Sequence, residues 1–135
     1  MKKLIYKLVA VLSIVVLMST SMYAMAADDV MISTRSVKQV TGTIKVQKAD
    51  LYATFTITAM CKISGTSVEV LSCSIDCPDR GNCLAVFWNN VPTINDAIDY
   101  TRISYSYQME NASTLTIGKV KMEITPNGEG VMSYE

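Results

Sequence analysis

The chain predicts an all-β fold, a small antiparallel β-sandwich or partly open barrel of about seven strands, and three observations carry that expectation. In residues 51–61, Leu51, Ala53, Phe55, Ile57, Ala59 and Cys61 alternate with Tyr52, Thr54, Thr56, Thr58 and Met60, the period of two that belongs to a half-buried strand. A helix here would spread threonines over every face and restrict many β-branched side chains at χ1. The same period returns in residues 101–110, where Ile103, Tyr105, Tyr107 and Met109 oppose Arg102, Ser104, Ser106 and Gln108. Glycine and proline punctuate the intervals at Gly42, Gly65, Pro78, Gly81, Pro92, Gly118, Pro126 and Gly128. No long helical pattern fits between them, and many short strands on one chain close as a sandwich or barrel.

The N-terminus reads as a secretion signal. Lys2, Lys3 and Lys7 precede an apolar run over residues 8–17 broken only by Ser13, and Ala24-Met25-Ala26 supplies small residues at the positions a signal peptidase needs. Cleavage is expected between Ala26 and Ala27. A membrane anchor would need roughly 20 apolar residues, and Lys7 cuts the stretch short of that. The expected product is secreted, with no membrane span after cleavage. Residues 27–36 are expected to be a loosely held lead-in or an edge strand, and residues 37–135 a single all-β domain of a size that suits one packed core.

Removal of the leader takes three of the twelve basic residues and none of the twelve acidic ones, leaving a mature charge of −3. A mildly acidic chain with scattered cations lacks the electrostatic footprint of a nucleic-acid binder.

Within the domain, residues 37–46, 68–75, 84–88 and 131–134 are further strand candidates. After Leu115 and Ile117 the apolar residues become Val120, Met122 and Ile124, a change of parity at Gly118 that suggests a β-bulge. Residues 93–100 could hold one helical turn capped by Thr93 with Asp96 at the third position.

All four cysteines, Cys61, Cys73, Cys77 and Cys83, lie in the mature part. After export such an even set reads as two disulfides. The favoured pairs are Cys61 with Cys73, across the hairpin turning at residues 64–67, and Cys77 with Cys83, though four cysteines allow three pairings. Zinc is the competing interpretation, but the gaps form no paired knuckles and the chain has no histidine. No metal or other cofactor is expected.

The absence of histidine also removes the commonest general base and the Ser-His and Cys-His nucleophile arrangements. No serine has lysine three residues on, and phosphate-cradling glycine motifs are missing. The nearest carboxylate pairs are Asp96 with Asp99 and Asp76 with Asp79, which turn chemistry explains equally well. The expectation is a protein without enzymatic activity.

Two places invite a binding reading. The polar stretch from Asp76 to Cys83 presents Asp79, Arg80 and Asn82 in a short loop whose closure would lower the entropy lost on docking. Asp76, Asp79 and Asn82 could also offer oxygens to calcium, at spacings unlike an EF-hand, and the same residues make an ordinary turn. Separately, Trp88, Tyr105 and Tyr107 could form an aromatic surface for carbohydrate or protein, or could pack in the core. Trp88 follows all four cysteines, so the immunoglobulin order of cysteine and tryptophan does not occur. Asn111-Ala112-Ser113 matches a glycosylation pattern, which matters only in a glycosylating host. The functional expectation is a secreted, non-enzymatic binding or surface-associated module whose partner is an extracellular protein or glycan. The alternative is a secreted effector, an inhibitor or toxin-like protein that uses the 77–83 loop.

Overall fold

The computed structural model describes residues 36–135; the expected leader, and the lead-in up to residue 35, lie outside the described residues. Among the described residues every regular element is a β-strand, and the sheets are antiparallel throughout. Strands β1 (Ser36–Lys48), β2 (Leu51–Ile63) and β3 (Val68–Asp79) form one sheet in that order. The second sheet contains β4 (Ala85–Trp88), β5 (Thr93–Asp96), β6 (Thr101–Glu110), β7 (Leu115–Ile124) and β8 (Gly130–Tyr134). Its order is β4-β6-β7-β8, with β5 also on β6. Because β7 pairs along the whole of β6, the short strands β4 and β5 divide the opposite edge of β6 between them.

The alternation in β2 has a direct packing consequence. Leu51, Ala53, Phe55, Ile57, Ala59, Cys61 and Ile63 are all buried, and the intervening threonines face away from the core. Ile103, Tyr105, Tyr107 and Met109 of β6 and Val120, Met122 and Ile124 of β7 join them in one apolar cluster shared by the two sheets. Removing one such side chain costs about 2–5 kcal/mol when the cavity cannot collapse.

The sheets close tightly where β1 meets β8. Gly42 has no room for a Cβ because the Met132 side chain fills that space. The Tyr134 hydroxyl donates to the Gln47 carbonyl (3.3 Å), and Lys48 Nζ donates to the Ile117 carbonyl (2.9 Å). On the other side, Val68, Val70, Cys73, Cys77, Cys83 and Trp88 pack against the core but stay partly exposed.

Three expectations need correction. The described residues form eight strands, because residues 93–96 pair with β6 as a strand instead of starting a helical turn. Beyond Trp88 the edge of β6 still carries free backbone groups, which a strand satisfies and an isolated turn does not. Asp96 accepts a hydrogen bond from the Thr101 hydroxyl (2.8 Å) in place of the expected cap.

The second correction concerns Gly118. Pairing of β6 with β7 runs without a break from Glu110 opposite Leu115 to Thr101 opposite Ile124, so no bulge occurs there. Leu115 and Ile117 instead face outward, and Gly118 faces inward, where a Cβ would collide with the Glu135 carbonyl and the Tyr107 hydroxyl. The bulges are in β3, one at Leu71 and one between Asp76 and Asp79. Third, β3 runs on to Asp79, beyond the residue 75 expected.

Candidate functional site

Of the two readings open for Tyr105 and Tyr107, an aromatic surface or core packing, the structure shows the second: both belong to the core. They share the inward phase of β6 with Ile103 and Met109 and are almost fully buried. The Tyr107 ring lies 5.2 Å from Phe55, and Trp88 meets Phe55 edge-on at 6.4 Å, so Trp88 also turns inward and is half-buried. Tyr107 donates its hydroxyl to the Glu135 carbonyl (3.3 Å). The buried Tyr105 hydroxyl has no hydrogen-bond partner among the described residues; burial, then the neighbouring Cys73, raises its pKa.

In the 77–83 loop, two of the three candidate side chains are committed to the turn. Asp79 Oδ1 accepts from the Gly81 amide (2.9 Å), and the Cys83 amide donates to the Arg80 carbonyl (3.0 Å). Asn82 fastens the loop to the β1–β2 turn, accepting from the Tyr52 amide (2.9 Å) and donating to the Asp50 carbonyl (2.6 Å). Gly81 adopts a φ of 57° directly against the Tyr52 carbonyl, a position that tolerates no Cβ. Arg80 is exposed at the tip, with no ion pair among the described residues. No group of three or more His, Cys, Asp or Glu side chains that could hold a metal occurs among the described residues.

The four cysteines are free thiols in this structure, unlike the bridged form expected. Cys73 lies opposite Ala59 on β2, one inward position along from Cys61, so the two are diagonal neighbours on the inner face. Diagonal Cα atoms stand roughly 7–8 Å apart, at the limit of what a disulfide spans without backbone movement. Burial, followed by the nearby Cys73, raises the Cys61 pKa. The Cys77 pKa is raised by burial and then by Asp76, against the opposing pull of Arg80. The Cys83 pKa is raised by burial, with the Tyr52 carbonyl pulling the other way. Raised values keep the Cys61, Cys77 and Cys83 thiols protonated and poorly nucleophilic at neutral pH.

A surface that the sequence reading passed over lies on the outer side of the second sheet. The β-pairing aligns Phe87, Gln108 and Ile117 in one row across β4, β6 and β7. Leu115 stands opposite Glu110 in the next row, and the Asn89 amide donates to the Ser106 carbonyl (3.0 Å) on the other side. Phe87, Leu115 and Ile117 are 55%, 56% and 61% exposed. Phe87, Trp88, Asn89, Ser106, Gln108 and Ile117 line a shallow groove of about 330 Å³. Towards the other end the same sheet carries ion pairs, Arg102 with Glu123 and Lys121 with Glu135 (2.6 Å). Lys121, chiefly by its hydrogen bond, holds the Glu135 carboxyl below its ordinary value.

The sheet edges offer little for a partner strand. Edges β1 and β8 face each other, β3 is interrupted by two bulges and Pro78, and the β4–β5 edge is broken at residues 89–92. Bulges and interruptions of this kind discourage pairing with another chain.

Comparison of the chain with protein-family models, with curated proteins and with solved structures finds no match.

Proposed function

We propose that the chain is exported, loses residues 1–26, and serves as a non-enzymatic binding module with a β-sandwich fold, stapled by Cys61–Cys73 and Cys77–Cys83. Its contact surface is the outer face of the second sheet around Phe87, Gln108 and Ile117. One observation carries the reading: Leu115 and Ile117 face water beside Phe87 in an unbroken register. Exposed apolar side chains gathered in one place lower solubility and add nothing to the core, and such a patch is the usual mark of a contact surface.

The 77–83 loop is the weaker candidate, because Asp79 and Asn82 are already occupied within the turn. In an oxidising compartment each bridge contributes about 2–4 kcal/mol, with the shorter loop at the low end or below. Intact mass of the exported protein before and after reduction tests the staples: two bridges make the unreduced protein lighter by the hydrogens of four thiols.

The contact surface is tested by retention of purified protein on cell-wall material, glycans and secreted proteins. Wild type is compared with a Phe87→Ala/Ile117→Thr double variant and with Arg80→Ala. Loss of retention in the double variant alone supports the outer face. Loss in Arg80→Ala alone transfers the function to the loop and sinks the proposed surface.

A further inference from the structure

Resting on the binding reading above and deepening it, we infer that the outer face of the second sheet takes a neutral glycan, laid across Phe87, Gln108 and Ile117 with Asn89 and Ser106 at its side. Charge is the first argument. The residues lining the groove are aromatic, aliphatic, amide or hydroxyl, with no acidic or basic side chain among them. The neighbouring cations lie outside the lining and have partners: Lys119, opposite Ser106, stands 3.8 Å from the Glu135 carboxylate, and Lys48 Nζ donates to the Ile117 carbonyl (2.9 Å). An anionic ligand would gain no ion pair from the groove lining and would lose part of its hydration on contact. A ligand rich in uncharged hydrogen-bonding groups meets no such penalty.

The polar groups in the groove also have capacity left. Asn89 spends its Oδ1 on the Val91 amide (3.0 Å), which leaves both Nδ2 hydrogens for a ligand. Gln108 donates Nε2 to Glu110 (3.2 Å) and keeps its Oε1 as an acceptor. Ser106 is exposed on the row beside them. A sugar ring presents an apolar C–H face for the exposed ring of Phe87 and a rim of hydroxyls that both donate and accept, the combination these side chains complement. The groove volume of about 330 Å³ sits at the small end of ligand sites, which run to roughly 300–1,000 Å³.

Size and topology disfavour other occupants. At on the order of 100 Å² for each half-exposed side chain, Phe87, Leu115 and Ile117 offer roughly 300 Å² of apolar surface, less than half of the ~800 Å² per partner that a stable protein pair needs. A second copy stacked on this face would therefore hold weakly. An extended peptide gains most of its affinity by adding to a sheet edge, and the edges are bulged, broken or faced by another strand.

Binding is read by isothermal titration calorimetry, with the fluorescence of Trp88, the only tryptophan in the chain and half-buried at the groove, as a second signal. The purified protein is titrated with oligosaccharides of cellulose, xylan, mannan and chitin, with polygalacturonate as the acidic control and a displayed peptide library as a separate arm. Saturable binding of at least one neutral oligosaccharide is expected. Phe87→Ala should weaken it by about tenfold or more, Ile117→Thr, which keeps a β-branched residue in the strand, should weaken it less, and Arg80→Ala should leave it unchanged. If no neutral oligosaccharide binds but a peptide binds in a Phe87-dependent way, the glycan inference falls and the binding face stands. If nothing that binds responds to Phe87→Ala or Ile117→Thr, both fall.

Discussion

Strands β3 and β7 each lie beside a long central strand, and each changes partway along which alternate residues are apolar. In β3, Val68 and Val70 give way to Cys73 and Ile75; in β7, Leu115 and Ile117 give way to Val120, Met122 and Ile124. The first strand makes the change by insertion. Leu71 is one residue too many between Val70, opposite Cys61, and Ser72, opposite Met60, so the apolar side chains on both sides of the bulge stay against the core. The second keeps its register, so the same change carries apolar side chains from the outside of the sheet to the inside. What separates the two is the inward position at the switch. At Gly118 that space is taken by the Tyr107 side chain and the Glu135 carbonyl, and a residue with a side chain has no place there. The bulge preserves the core, and the unbroken strand leaves an apolar row on the surface.

The largest expected effect comes from crossing the two faces of β7. Met122→Ala should cost about 2–5 kcal/mol of unfolding free energy, because the side chain is fully buried. Ile117→Ala should stay within about 0.5 kcal/mol, as surface changes do. Urea denaturation of both variants checks the pair, and equal losses would erase the contrast between inner and outer residues. Next, Gly118→Ala should cost about 1–3 kcal/mol through overpacking against Tyr107 and Glu135, whereas a bulge at that point would absorb a methyl group readily.

Deleting Leu71 should cost less than about 1 kcal/mol, because Val68, Val70, Cys73 and Ile75 then alternate without interruption. Amide hydrogen exchange along β2 and β3 would show continuous protection; loss of protection would mean that the bulge is required for pairing.

The smallest effect concerns the ion pairs that finish the second sheet. Lys121 depresses the Glu135 pKa, so its contribution is present above the ordinary carboxylate range and is lost as pH falls through the lowered folded value. The pair is exposed, so added salt should also weaken it. Glu135→Gln should flatten this part of the pH dependence, and NMR titration of the Glu135 side chain reads it directly.

Sequence periodicity identifies a strand more readily than it identifies which side of the strand is wet. Thr54, Thr56 and Thr58 settle that for β2, because a polar set leaves the apolar set no choice but the core. Arg102, Ser104, Ser106 and Gln108 do the same for Tyr105 and Tyr107 on β6, whereas Leu115 and Ile117 carry no such marker, and only the pairing with β6 assigns them outward. The turn chemistry of Asp79, Gly81 and Asn82 was legible because it is local. Strand β5 was not, since four residues ending in Asn95-Asp96 pair only because β4 stops short of the end of β6. The outer row is missed for the same reason, being assembled from three strands that sequence neighbours do not reveal.

The claim on which the contact surface depends is that β7 passes Gly118 without a bulge and leaves Leu115 and Ile117 in water. Methyl NMR of the purified protein with a soluble paramagnetic probe measures this. The account predicts strong broadening of the Leu115 and Ile117 methyls and protection of those of Val120, Met122 and Ile124. Protection of Leu115 and Ile117 together with the other three would contradict it.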